Sequence, residues 1–129
     1  MATIQILLAT YNGERYLQTQ LDSLIAQTNP DWELLIRDDN STDSTPEIIA
    51  AFAAAYPDKI RIIRDNVNLG AKNNFSQLLE QADAAYVMFC DQDDRWHPDK
   101  IERTFWKMQE MEKEYGKEYP LLVHTDVAL

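Results

Sequence analysis

Phe89-Cys90-Asp91-Gln92-Asp93-Asp94-Arg95-Trp96 decides the reading of this chain. It follows Ala84-Ala85-Tyr86-Val87-Met88, an apolar run of strand length, and Pro98 then opens a helix-like segment. Asp91, Asp93 and Asp94 crowd the end of that strand, and their charges repel unless solvent, a base or a cation separates them. On an extended chain residues two apart point the same way, so Asp91 and Asp93 form the natural pair. Paired hard oxygens suit Mg²⁺ or Mn²⁺. An acidic turn in solvent, with an aspartate capping the next helix, is an equal alternative at this point.

Working outward, apolar runs alternate with helical periodicity. Ile4–Ala9, Trp32–Ile36, Ile60–Ile63 and the run before Asp91 read as strands, and Leu121–Val123 as a last one. Leu17, Leu21, Leu24 and Ile25 mark a first helix, which Asn29-Pro30 ends. Thr45-Pro46 reads as the cap and first residue of a second, running to Tyr56. Phe75, Leu78 and Leu79 mark a short third helix, and Ile101, Phe105, Met108 and Met111 stripe a long fourth. The pattern predicts an α/β domain spanning residues 1–129, with a mostly parallel sheet and flanking helices. Ligands of such sheets sit at the carboxyl ends of the strands. That gathers Thr10-Tyr11-Asn12-Gly13, the loop beginning Arg37-Asp38-Asp39, and Asp91–Asp94 on one edge.

Composition narrows the choices. Hydrophobic residues make up 45% and charged residues 26% of 129 residues, as in a globular domain. A formal net charge of −10 argues against nucleic acid or an anionic membrane as partner. Cys90, the one cysteine, excludes an intramolecular disulfide and reads as a buried thiol. No basic leader or membrane-length apolar stretch is present, so a cytoplasmic-type domain is expected.

Only Gly13 follows the first strand, and the chain's three glycines lie far apart, so neither the dinucleotide fingerprint nor the P-loop is present. A metal on Asp91 and Asp93 is then the remaining way to hold a diphosphate. Asp39 could accept a hydrogen bond from a ring N–H of a pyrimidine base, and Tyr11 could stack on that base. A loop cap at Asp39 and a half-buried ring at Tyr11 are equally good readings of each residue alone. Asp39–Asp43 and Asp91–Asp93 both open like calcium loops, but Ser44 and Trp96 stand where such a loop requires glycine.

Leu8–Glu14, Ile36–Thr45, Asn68-Leu69-Gly70 and Asp91–Pro98 together resemble the successive motifs of family 2 glycosyltransferases. The resemblance covers the whole chain and is greatest to bacterial rhamnosyltransferases. It implies a GT-A fold and an inverting, metal-dependent transfer of sugar from a nucleotide-diphospho-sugar donor to a saccharide acceptor of surface polysaccharide. It further implies that Asp39 binds the base, that Tyr11 lies against it, and that Thr10 lines the same pocket. Asp91 and Asp93 would form the Asp-x-Asp element, Asp93 on the Mn²⁺ or Mg²⁺ ion and Asp91 on ribose or a metal-bound water. Asp94 would support them, Lys72 and Asn73 would approach the donor, and Trp96 would pack or border the sugar. The family's catalytic base lies well beyond the Asp-x-Asp element. The chain is therefore expected to be the N-terminal, donor-binding part of a longer enzyme, inactive alone, with neither His124 nor Asp126 at the base position. In the full-length enzyme it would work in the cytoplasm or at the inner face of the membrane. Apolar surface on the last strand and on the Ile101–Met111 helix is expected to promote self-association.

Two other classes compete. One is a non-catalytic nucleotide-sugar-binding module. The other is a phosphoacceptor receiver domain, for which only Asp65 stands in a suitable place.

Overall fold

The computed structural model describes residues 3–65, 67–90 and 95–115. Strands and helices alternate: β1 (Ile4–Thr10), α1 (Leu17–Ile25), β2 (Trp32–Asp38), α2 (Thr45–Ala55), β3 (Ile60–Ile63), α3 (Ala71–Gln81), β4 (Tyr86–Cys90) and α4 (Lys100–Tyr115). The strands form a parallel sheet in the order β3-β2-β1-β4.

That order follows from how the two faces are covered. Ile4, Ile6 and Leu8 of β1 pack with Leu34 and Ile36 of β2 against Leu17, Leu21 and Leu24 of α1, Ile49 and Phe52 of α2, and Ile101 of α4. Leu7 and Leu35 point the other way, onto Leu78 of α3. Both parities of the central strands are therefore apolar, as a sheet covered on both faces requires. Gln5 interrupts the run, yet it stays buried because Glu33, Asp83 and the amides of Asp83 and Ala84 satisfy its side chain. The chain steps from β1 to β2 to β3 in one direction, then returns past β1 to β4. Right-handed crossovers place α1 and α2 on one face and the return helix α3 on the other. The reversal falls between β1 and β4, and sheets of this kind bind ligands at the carboxyl ends of the strands beside such a reversal.

Several expectations need correction. β2 runs past Ile36 through Arg37 and Asp38, which pair with Ala9 and Thr10, so Arg37 belongs to the strand and not to a polar loop. The third helix, expected to be short, has 11 residues. Thr45 is the first residue of α2, not its cap; Ser44 precedes it, and the Thr45 hydroxyl faces away to the loop after β1. α4 begins at Lys100, after a turn closed by its amide on the His97 carbonyl. Ile101 is buried in the core, so the expected apolar patch on this helix does not include it; Trp106 is a large exposed apolar residue there. The receiver alternative fails on topology, because that fold sets β1 between β2 and β3, whereas here β1 lies between β2 and β4. The expected strand at Leu121–Val123, with His124 and Asp126, lies outside the described residues.

Candidate functional site

Two loops meet at the carboxyl edge, and their polar side chains hold one another. Thr10 Oγ1 donates to Asp38 Oδ1 at 2.7 Å, and the amide and hydroxyl of Ser41 donate to the same carboxylate at 2.8 and 2.6 Å. Asn12 and Asn40 take φ of 48° and 62°, a region that asparagine tolerates better than most residues. The Asn12 amide donates to Ser41 Oγ, the Thr42 amide to Asn12 Oδ1, and the Gly13 amide to Thr45 Oγ1. Residues 40–45 are thus stitching for the loop after β1.

Beneath this lacing lies Arg37, fully buried with its whole donor set engaged. Nη1 donates to Asp39 Oδ1 and Asn74 Oδ1, each at 2.9 Å. Nη2 donates to Asp65 Oδ1 at 2.7 Å and the Val67 carbonyl at 2.8 Å, and Nε to Asp65 Oδ2 at 3.2 Å. A guanidinium has five N–H donors, and all five find acceptors, which is what makes its burial tolerable.

Asp39 is the residue this arrangement serves. Its side chain is 3% exposed. Its carboxylate accepts from Arg37, from the Leu69 amide at 2.7 Å and from the Gly70 amide at 2.9 Å. Gly70 takes φ of 85°, which turns the chain into α3 and brings both amides onto the carboxylate. Burial opposes the charge on Asp39, but the amides of Leu69 and Gly70 and the Arg37 guanidinium outweigh it and hold the carboxyl below its usual range. Beside it opens a cavity of about 500 Å³, lined by Thr10, Tyr11, Asp39, Asn68, Gly70, Asn74, Phe75 and two alanines, Ala9 and Ala71. Tyr11 is 47% exposed.

The chain matches the family described as Glycosyl transferase family 2 over residues 5–115. It belongs to that family. The dTDP-rhamnosyl transferase RfbG of Shigella flexneri is 43% identical over 102 residues, which are 75% of this chain and 35% of RfbG. The UDP-Glc:alpha-D-GlcNAc-diphosphoundecaprenol beta-1,3-glucosyltransferase WfgD of Escherichia coli is 29% identical over 99 residues, 77% of this chain and 38% of WfgD. Among solved structures, S. aureus TarS 1-349 in complex with UDP superposes with a TM-score of 0.73 and 27% identity, over 85% of this chain and 32% of that one. The chain therefore spans little more than a third of the curated relatives named here. The fold is GT-A, as the sequence resemblance implies.

Within this family 2 domain the expected site residues separate. Thr10, Tyr11 and Asp39 line the same cavity. Lys72 and Asn73 are exposed on the first turn of α3, and Asn73 Nδ2 donates to the Leu69 carbonyl. Trp96 is buried, its amide bonded to Ser23 Oγ and its ring under Lys100 Nζ, so it packs. It also borders a larger cavity of about 720 Å³ against α1, away from the strand-end cluster. Asp91, Asp93 and Asp94 lie outside the described residues, directly after Cys90, which ends β4 beside Leu8. Among the described residues no group of three or more His, Cys, Asp or Glu could hold a metal. Cys90 is a buried thiol, as expected, with Gln20 Nε2 at 3.1 Å.

Sequence reasoning missed Arg37 and Asn74. Asn74 bonds Arg37 through Oδ1 and the Thr10 carbonyl through Nδ2, tying α3 to β1. A signal was present. Asn74 shares the inward stripe of α3 with Phe75 and Leu78, and a polar residue on such a stripe needs partners.

Proposed function

We propose that this chain is the donor-binding part of a glycosyltransferase that moves a sugar from a nucleotide-diphospho-sugar to a saccharide acceptor in cell-surface polysaccharide synthesis. The observation that carries this is the buried, ionised Asp39 carboxylate beside the exposed Tyr11 ring at one strand-end cavity. An ionised carboxylate accepts from the ring N–H of uracil or thymine and has nothing to accept from cytosine at that position. Tyr11 covers the base. The names of the three relatives given above point to the same bases: RfbG is a dTDP-rhamnosyl transferase, WfgD takes UDP-Glc, and TarS was solved with UDP. The identity to RfbG favours rhamnose as the donor sugar.

Two hard-oxygen carboxylates after the end of β4, Asp91 and Asp93, fit a Mn²⁺ or Mg²⁺ ion, which when bound offsets the charge of the donor diphosphate. Asp39 does not fit such an ion, since two amides and a guanidinium already occupy it. The reaction we assign is inverting: a base takes the proton of an acceptor hydroxyl, whose oxygen attacks the anomeric carbon opposite the departing diphosphate. Asp39, the cavity's one carboxylate among the described residues, is held ionised by partners it cannot leave, and is no such base. These residues alone are therefore proposed to bind donor without transferring it. Among the described residues no helix is long and apolar enough to cross a membrane, and we place the domain in the cytoplasm or at the membrane's inner face. The apolar surface through which we expect self-association is that of the Ile101–Met111 helix, where Trp106 is exposed.

The test is calorimetric titration of the purified chain with UDP, dTDP and CDP, each with and without Mn²⁺. Binding of the first two, strengthened by Mn²⁺ and much weaker for CDP, supports the reading. Equal binding of all three, or none, overturns it.

A further inference from the structure

We propose that Arg37 is a positioning residue that sets base selectivity, by leaving Asp39 one acceptor position for a ligand and so rejecting guanine. This rests on the reading of the cavity as a nucleotide site.

An ionised carboxylate has about four acceptor positions, two on each oxygen. On Asp39 Oδ1 both are filled, one by Arg37 Nη1 at 2.9 Å and one by the Leu69 amide at 2.7 Å. On Oδ2 the Gly70 amide at 2.9 Å fills one. Among the described residues nothing takes the fourth. A uracil or thymine ring offers one N–H, which needs one acceptor. Guanine offers two parallel donors, its ring N–H and its exocyclic amino group, and these need an acceptor on each oxygen. With Oδ1 closed, the amino group of guanine is desolvated without a partner.

Arg37 cannot swing aside to admit it. The other Nη1 hydrogen is held by Asn74, and the remaining three by Asp65 and the Val67 carbonyl. The side chain is fully buried, so no water can replace those acceptors without opening the edge of the sheet.

Hypoxanthine separates this account from simple exclusion of purines, because it keeps the guanine ring and ring N–H but lacks the amino group. The experiment titrates the intact chain with UDP, IDP and GDP in one Mn²⁺ buffer. UDP should bind, and IDP should bind about 5- to 100-fold more tightly than GDP, the range expected for one unpaired buried donor. If UDP binds but IDP and GDP match, strongly or weakly, the acceptor count does not set selectivity and the nucleotide reading stands. If none of the three binds, the nucleotide reading itself falls. Arg37→Lys and Arg37→Gln, checked for fold by circular dichroism, test the residue directly, since each frees part of Oδ1. The IDP-to-GDP ratio should fall toward one in a folded variant. An unchanged ratio there assigns the selectivity elsewhere and overturns the role of Arg37.

Discussion

Arg37 and Asp65 meet as a bidentate pair, Nη2 to Oδ1 at 2.7 Å and Nε to Oδ2 at 3.2 Å, which joins the end of β2 to the segment after β3. The two ends of this pair live in different media. The guanidinium is fully buried, whereas the Asp65 side chain is 37% exposed. Removing the buried partner strands Asp39 without its counter-charge, so Arg37→Met should lower the unfolding free energy by about 3–5 kcal/mol in urea titrations. Asp65→Asn should cost less, because water reaches that side. A smaller loss for Arg37→Met than for Asp65→Asn would show that burial is not what makes the pair matter.

Acid should act through the same residues. The Arg37 hydrogen bonds hold Asp65 below the ordinary carboxylate value, and Asp39 is also held low, by amides and Arg37 acting against burial. Carboxyls depressed in the folded state contribute stability that is complete above their unfolded value, about 4, and is lost as pH falls through the folded one. Melting temperature should therefore drop on going from about pH 5 toward pH 3. The drop should be shallower in Asp65→Asn, which has one such group fewer. Equal acid slopes would remove Asp65 from the account.

Asp39→Asn tests recognition and scaffold together. The change leaves one oxygen to serve Arg37, Leu69 and Gly70, and points an N–H₂ at donors on the other side. Affinity for UDP or dTDP should fall by about 1–3 kcal/mol, with CDP affected much less. Circular dichroism must first show that the variant folds, because the same residue anchors the start of α3. Equal losses for all three nucleotides would assign Asp39 to the scaffold alone.

Thr45 gives a cleaner structural test. It is fully buried, and its hydroxyl accepts from the Gly13 amide at 2.9 Å, locking the loop after β1 to the start of α2. Valine keeps the shape but leaves the buried Gly13 N–H without an acceptor, at a cost of about 1–3 kcal/mol. Thr45→Ser keeps the oxygen and should lose less. Were valine and serine to destabilise equally, the methyl group rather than the hydrogen bond would be what counts.

The fold is legible in the sequence where apolar runs and helical stripes set it, as in Ile4–Ala9 or Leu17–Leu24. The gathering of Thr10, Tyr11 and Asp39 on one edge is legible too, because parallel sheets put their loops there. Arg37 is not. A charged residue at the end of an apolar run reads as the start of a loop, and its burial depends on Asp65, Val67 and Asn74, distant partners that no local pattern announces. Thr45 misleads for a similar reason. Its place before Pro46 fits a helix cap, but the orphan amide it serves belongs to Gly13, across the edge.

The acidic stretch after β4 is tested through Asp93. No described carboxylate at the cavity is available to a cation, since Asp39 is fully engaged on Oδ1 and partly on Oδ2, so any metal dependence must come from other groups. Asp91 and Asp93, which follow Cys90, are the candidates by chemistry and spacing. Asp93→Ala should lose at least about tenfold, ~1.4 kcal/mol, of the Mn²⁺-dependent gain in UDP affinity. Binding without Mn²⁺ should be unchanged, because Asp39 and Tyr11 are untouched. The variant should melt no lower than the wild type without metal, since it has one repelling charge fewer. Calorimetry with and without Mn²⁺, paired with thermal melts, separates these effects. A full Mn²⁺ response in Asp93→Ala would take the metal away from this pair, and a loss of metal-free binding would mean that the change had reached the cavity beside Asp39.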